Sequence, residues 1–356
     1  MKKISVIVVD DSALIRKMLS EILGSDPDIE VVATAADPFQ AREKIKKFNP
    51  DVLTLDVEMP KMDGITFLRN LMRLRPMPVV MVSTLTERGA DITLEALALG
   101  AFDFVEKPKL DVSQTLGDYA EELIDKVKAA AGTDPKLIKH KQERHIDEKL
   151  TADAILAKPT QKTSLKTTEK IVAIGASTGG TEAIKKVICA LPANAPGIVI
   201  TQHIPVTFSA AFAARVNTMA AMHVSQAVDG EQILPGHVYI APGDQHLLVE
   251  RSGARYYCKL NDGPAVSRHK PSVDVLFRSV AENVGFNAIG VMLTGMGDDG
   301  AQGLLEMRQN GSANMVQDEK TSVVWGMPGA AFKVGAAETV LPIEMIANEI
   351  MKLSKK

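Results

Sequence analysis

Ser177 lies in the stretch Gly175-Ala-Ser-Thr-Gly-Gly180, which follows an apolar run, Ile171 to Ile174, and precedes Ile184, Val187, Ile188 and Leu191 at helical spacing. The run suits a buried strand and the spacing suits a helix, so Ser177 belongs to a glycine-rich turn between them. At such a place the first N–H groups of the helix are free and the helix dipole favours negative charge. Two chemistries fit: holding a phosphate, or stabilising the oxyanion that forms when a serine attacks a carbonyl. The dinucleotide form of the first fits poorly. The glycines lack the G-x-G-x-x-G spacing, the next strand ends in Gln202-His203 rather than an acid, and the lysine and spacing of a P-loop are absent.

A serine nucleophile needs a base, and the base needs an acid to fix its tautomer. His203 follows the apolar run Gly197 to Thr201, and Asp298-Asp299 follow the run Ala288 to Leu293. Parallel strands would bring all of these to one sheet edge. His223, His237, His246 and His269 lack that strand-end placement, and a surface or supporting place is expected for each. A second constellation lies near the start of the chain. Asp10-Asp11, Asp56, Ser83 and Lys107 each fall at or just past the end of an apolar run. Close carboxylates repel unless a cation neutralises them, and hard oxygen ligands suit Mg²⁺. A carboxylate beside Mg²⁺ can take a phosphoryl group, with a lysine balancing the added charge.

The elements that would position these residues alternate. Over the first 108 residues, strands Ile4 to Val9, Val52 to Leu55, Pro78 to Val82 and Ala101 to Val105 are separated by amphipathic segments, the pattern of a parallel sheet covered on both faces. Residues Val112 to Ala131 read as one more helix. From Gly132 to Thr168 the chain turns polar, with Pro135, Pro159 and the histidines His140 and His145. It reads as a linker with a short helical stretch between Glu143 and Leu156. A second α/β pattern starts at Glu169. Within it His237 to Ile240, Leu247 to Glu250 and Arg255 to Lys259 suggest an antiparallel insertion. A helix from Val273 to Val280, a strand near Ala313 to Val316 and a helix after Pro342 complete it. The expected domains are residues 1–131, a linker 132–168, and residues 169–356.

With 356 residues, 46% apolar and 24% charged, the chain has the composition of an ordinary soluble globular protein of two domains. A net charge of −3 gives no general reason to expect nucleic-acid binding. No apolar run is long enough to cross a bilayer, and the Met-Lys-Lys start lacks a signal-peptide core. Cys189 and Cys258 form no metal-like cluster, and Cys189 is expected to be a small buried residue in its helix. A reduced, cytoplasmic setting follows as the expectation.

The first segment resembles a response-regulator receiver domain, on Asp10-Asp11, Asp56 with Met59-Pro60 and Asp63-Gly64 after it, Ser83, and Lys107-Pro108. The resemblance implies a flavodoxin-like, five-stranded parallel sheet with Asp56 as phospho-acceptor. It implies Mg²⁺ held by Asp11, Asp56 and the carbonyl of Glu58, with Asp10 acting partly through water. Ser83 and Lys107 would contact the phosphoryl group, Lys107-Pro108 would be a cis peptide, and Phe104 would be the switch aromatic.

The second segment resembles the chemotaxis protein-glutamate methylesterase family. The matching motifs are Ile174-Gly-Ala-Ser-Thr-Gly-Gly180, Thr201-Gln-His203, Ala241-Pro-Gly-Asp244, Arg268-His-Lys-Pro-Ser-Val-Asp274 and Leu293-Thr-Gly-Met-Gly-Asp-Asp-Gly300. This implies a doubly wound α/β domain with a mainly parallel sheet. It also implies hydrolysis of glutamate γ-methyl esters on chemoreceptor cytoplasmic helices, releasing methanol, and deamidation of receptor glutamines. Ser177 would attack and His203 would take the proton. Asp299 would orient His203, while Thr178 and Met296 line the site and the Met296 N–H helps hold the oxyanion. Asp298 stands where the family often has Asn, so two adjacent acids compete for the orienting place. The ester step would need no cofactor. The partners would be a chemotaxis histidine kinase as phosphodonor and methyl-accepting chemoreceptors as substrate, with no nucleic acid and no membrane insertion. Phosphorylation of the receiver would relieve a restraint on the esterase. A binding-only regulator is the other class. A DNA-binding output is disfavoured, since the second half is too long and shows no basic recognition helix.

Overall fold

The computed structural model describes residues 3–59, 63–83, 86–107, 116–132, 150–157 and 169–355. They fall into two compact units, Met1–Lys141 and Gln142–Lys356. The expected cis peptide at Lys107-Pro108, the motif residue Pro60, and His140 and His145 lie outside the described residues.

In the first unit the apolar runs form β1 (Ile4–Val9), β2 (Ile29–Ala35), β3 (Val52–Asp56), β4 (Val79–Ser83) and β5 (Asp103–Glu106). The helices between and after them are α1 (Ala13–Gly24), α2 (Pro38–Phe48), α3 (Gly64–Leu74), α4 (Glu87–Ala98) and α5 (Leu116–Ala130). The sheet order is β2-β1-β3-β4-β5 and every pairing is parallel. Helix starts follow local chemistry: Ser12, Asp37, Asp63 and Thr86 each cap a helix by accepting a backbone N–H. The central strands β3 and β4 are buried throughout and β1 is buried over Val6–Val9, so Asp10 and Asp56 emerge from a dry core at the same sheet edge.

The second unit centres on β6 (Ile171–Ala176) and α6 (Gly180–Cys189). After them come β7 (Gly197–Gln202), α7 (Val206–Asn217), β8 (His223–Gln226), β9 (His237–Ile240), the hairpin β10 (His246–Ser252) and β11 (Arg255–Asn261), and α8 (Val273–Asn283). The chain finishes with β12 (Ala288–Met292), α9 (Ala301–Gln309), β13 (Ala313–Gln317), α10 (Met327–Lys333), β14 (Thr339–Leu341) and α11 (Ile343–Ser354). The main sheet runs β14-β13-β12-β6-β7-β9-β8, and all its pairings are parallel. From β6 the chain winds one way through β7 to β9 and then returns to wind the other way through β12 to β14. The switch point therefore lies between β6 and β12, where open α/β sheets bind ligands at the carboxyl strand ends.

Three expectations need correction. The antiparallel insertion is only the hairpin β10–β11; β9 joins the parallel sheet between β7 and β8. Cys189 is exposed. It sits one residue past Ile188, about 100° around the helix from the inward stripe. Part of the expected linker is ordered on the second unit. Residues Ala152–Ala154 form a 3₁₀ turn, and Ala152 packs in a buried cluster with Leu248, Val266 and Val275. The buried Arg278 guanidinium donates to Asp153 at 2.6 Å and to the Leu156 carbonyl at 3.0 Å. It also grips Glu306 through two nitrogens at 2.8 and 2.7 Å.

The core behind β6 is α8. Val273, Leu276, Phe277 and Val280 are fully buried, and truncating a residue such as Phe277 to alanine would cost about 3–5 kcal/mol. Gly175 permits this closeness, since a Cβ there would stand 2.2 Å from Val273 Cγ1. Among the described residues no helix is long and apolar enough to cross a membrane.

Candidate active site

The register pairs Ala176 of β6 with Gln202 of β7, so Ser177 and His203 leave neighbouring parallel strands side by side, about 4.8 Å apart in strand spacing. Gln202 ties these two exits together: its Nε2 donates to the Ser177 carbonyl at 3.0 Å and to the His203 carbonyl at 3.1 Å. From the other side, β12 delivers Thr294, whose carbonyl accepts the Ser177 N–H at 3.1 Å. Gly295 then passes so close that a Cβ there would stand 2.9 Å from Ser177 Cβ. Gly179, at φ 75°, makes the turn into α6. Ser177 itself is half-buried, and Thr178 is buried. Among the described residues, neither the Thr178 nor the Met296 N–H has a backbone partner.

His203 meets Asp299: Nε2 lies 2.8 Å from Oδ2. The same carboxylate accepts from Ser272 Oγ at 2.8 Å and from the N–H groups of Val273 at 2.7 Å and Asp274 at 3.1 Å. Asp299 thus sits on the amino end of α8, where helix N–H groups and dipole both favour an anion. Burial alone would raise its pKa. The His203 hydrogen bond, the charges of His203 and His269 and the Val273 N–H outweigh burial and hold the carboxyl well below the usual range. Asp298 is exposed, and it is Asp299 that meets the histidine. With Nε2 committed to Asp299, His203 Nδ1 is left buried without a hydrogen-bond partner. An ionised carboxylate, an imidazole with one bare nitrogen and an accessible hydroxyl can together move a proton off that hydroxyl.

Two of the histidines expected in surface or supporting places serve the same edge. His246 is buried, donates from Nε2 to the Pro264 carbonyl at 3.0 Å, and accepts the Ser272 N–H on Nδ1 at 3.1 Å. Burial lowers its pKa, which suits this neutral form. His269 stacks flat on His203, with ring centroids 3.7 Å apart and planes 16° from parallel. The only sequence signal for His269 was its motif, Arg268 to Asp274, which carried no role.

In the first unit, ligand oxygens of Asp10, Asp11 and Asp56 lie within 4.8 Å of one another. Lys107 Nζ stands 3.1 Å from Asp10 Oδ2 and 2.8 Å from Asp56 Oδ2. Burial pushes the Asp56 carboxyl up to about 6 against the pull of Lys107, and burial raises Asp10 as well. These crowded oxygens fit a hard divalent cation such as Mg²⁺. Glu58 is exposed beside them, and its N–H donates to Asp56 Oδ1 at 3.1 Å. Ser83 Oγ lies 2.9 Å from Thr93 Oγ1, and Phe104 is buried.

Residues 6–115 match the response regulator receiver domain, and residues 172–350 match CheB methylesterase. The protein-glutamate methylesterase/protein-glutamine glutaminase of Hydrogenovibrio crunogenus is 57% identical, over all of both chains. The chain belongs to the CheB methylesterase family. A second member, from Xanthomonas campestris pv. campestris, is 59% identical over 99% of this chain and 97% of its own. The crystal structure of the Thermotoga maritima CheB methylesterase catalytic domain covers 52% of this chain and 98% of its own, with TM-score 0.51 and 36% identity. The family's activity as protein-glutamate methylesterase and protein-glutamine glutaminase is therefore this chain's, behind a receiver domain.

Proposed function

We propose that Ser177, His203 and Asp299 act as nucleophile, base and orienting acid in hydrolysing glutamate γ-methyl esters on the cytoplasmic helices of chemoreceptors. The observation that carries this reading is the His203–Asp299 contact of 2.8 Å, anchored on α8 one strand away from Ser177. Ser177 Oγ attacks the ester carbonyl while its proton passes to His203 Nδ1. Asp299 keeps the other proton on Nε2 and balances the imidazolium charge. The N–H groups of Met296 and Thr178 receive the oxyanion. Collapse returns the Nδ1 proton to the leaving methoxide and releases methanol, or to the departing amine when the substrate is a glutamine. Water then attacks the acyl-enzyme by the same route. Ser177, His203 and Asp299, with the oxyanion donors, account for the ester step.

The receiver, residues 1–131, takes a phosphoryl group on Asp56 from a chemotaxis histidine kinase in the cytoplasm. Asp10, Asp11, Asp56 and the Glu58 carbonyl would hold Mg²⁺, which when bound offsets the negative charge of carboxylates and phosphoryl group. Lys107 and Ser83 meet the phosphoryl oxygens, and Phe104 reports the change. Phosphorylation then relieves a restraint on the esterase, residues 169–356. The test is methanol release from membranes carrying methylated chemoreceptors, with and without a small phosphodonor. Stimulation should vanish in Asp56→Asn while basal release persists. Equal stimulation of that variant would refute control through Asp56.

A further inference from the structure

His203 is tethered by a single hydrogen bond from Nε2, and its buried Nδ1 has none. A ring held at one edge can still swing about that edge and carry Nδ1 out of line with a hydroxyl. The face of the ring is where such motion can be stopped, and His269 lies flat against it at 3.7 Å. We propose that His269 is a positioning residue for the ester hydrolysis, its imidazole serving as the flat backstop that aims His203 Nδ1 at Ser177. This inference rests on the base role given to His203 above.

The backbone around His269 is built to present that ring. Val266 and His269 exchange both hydrogen bonds, His269 N–H to Val266 O at 2.8 Å and Val266 N–H to His269 O at 3.0 Å. The two residues between them, Ser267 at φ 52° and Arg268 at φ 67°, are both left-handed without being glycine. Such conformations are costly and persist only where the surroundings over-determine them. Here the surroundings do so. Val266 is fully buried, and Ser267 N–H donates to the Leu150 carbonyl at 2.8 Å. Ser267 Oγ donates to Asp274 at 3.3 Å. Three residues beyond His269, Ser272 donates to Asp299. One loop thus fixes both the stacking ring and a donor to the carboxylate at the far edge of His203. A residue that merely filled space would need neither the strained turn nor the near-parallel planes.

The test uses the full-length protein and methylated receptor membranes, and compares His269→Leu, which keeps bulk but loses the flat face, with His269→Phe, which keeps the face but loses both nitrogens. His269→Leu should lower kcat about tenfold with KM within about twofold, and His269→Phe should recover most of the loss, on the scale of one aromatic stacking contact. Wild-type kcat in His269→Leu would overturn the proposal, as would an equal loss in both variants. His203→Ala run alongside separates the two readings: if it too is near normal, the base assignment fails first. Should the variants not fold, proton NMR of the unaltered protein decides. The His203 ring protons should be shifted upfield by the stacked ring, and normal shifts would overturn the stacking.

Discussion

Asp299 joins His203 to the start of α8: one carboxylate oxygen lies 2.8 Å from His203 Nε2 and 2.7 Å from the Val273 N–H. The helix start therefore keeps the acid ionised and aimed without calling on the histidine alone. Asp299→Asn should cut kcat by about 10³–10⁴-fold, on the scale of an orienting aspartate replaced by its amide. Asp298→Asn, one residue away and exposed, should change it no more than a few-fold. Methanol-release rates of the two variants check this, and a larger loss in Asp298→Asn would reverse the assignment.

The acid cluster of the receiver should make its stability respond to pH and Mg²⁺ together. Asp56 has its carboxyl raised to about 6, above the ordinary aspartate value, so the folded unit binds its proton more tightly than the unfolded chain. That proton-linked stability is present at low pH and is lost as pH rises through about 4 to 6. A divalent cation needs the ionised form, so its effect runs the other way. Calorimetry of the full-length protein should show Mg²⁺ at 100-fold over its Kd stabilising the receiver by about 2–3 kcal/mol at pH 7.5, several degrees in Tm. The rise should fade by pH 5. In Asp56→Asn the metal-free Tm should go up and most of the Mg²⁺ effect should disappear. An equal Mg²⁺ shift at both pH values would contradict the cluster's role.

The ordered segment at residues 150–157 belongs energetically with the esterase. It holds Ala152 in a buried cluster, gives Arg278 its Asp153 and Leu156 contacts, and supplies the carbonyl that steadies Ser267. A fragment starting at residue 169 should be less stable than one starting at residue 148 by about 1–3 kcal/mol, since it leaves a buried guanidinium short of acceptors. Urea unfolding of the two fragments measures the difference; coincident midpoints would show that the segment contributes nothing. A fragment used to test relief from the receiver should begin before Leu150.

Much of this was legible in the sequence because parallel α/β sheets bring strand ends together. Ser177, His203 and Asp299 each follow an apolar run, and so do Asp56 and Ser83, so placing the runs as strands already gathers them at sheet edges. Pairing order was less legible. The short run His237 to Ile240 is equally compatible with a hairpin and a parallel strand, and only long-range packing puts it between β7 and β8. The stacking of His269 on His203 was not legible, because it depends on a left-handed turn at Ser267 and Arg268, where no glycine marks the bend. Residues 150–157 carry Leu150, Ile155 and Leu156 but sit inside a long polar stretch, and the partners that attach them, Leu248, Val266, Val275 and Arg278, lie far along the chain.

The most direct test of the central claim is methanol release by full-length Ser177→Ala, phosphorylated in Mg²⁺ and shown to be folded, from membranes carrying methylated chemoreceptors. A covalent serine mechanism predicts a loss of at least about 10³-fold in kcat against the unaltered protein. Release within tenfold of the unaltered protein would contradict it and leave Ser177 as a structural residue of the β6–α6 turn.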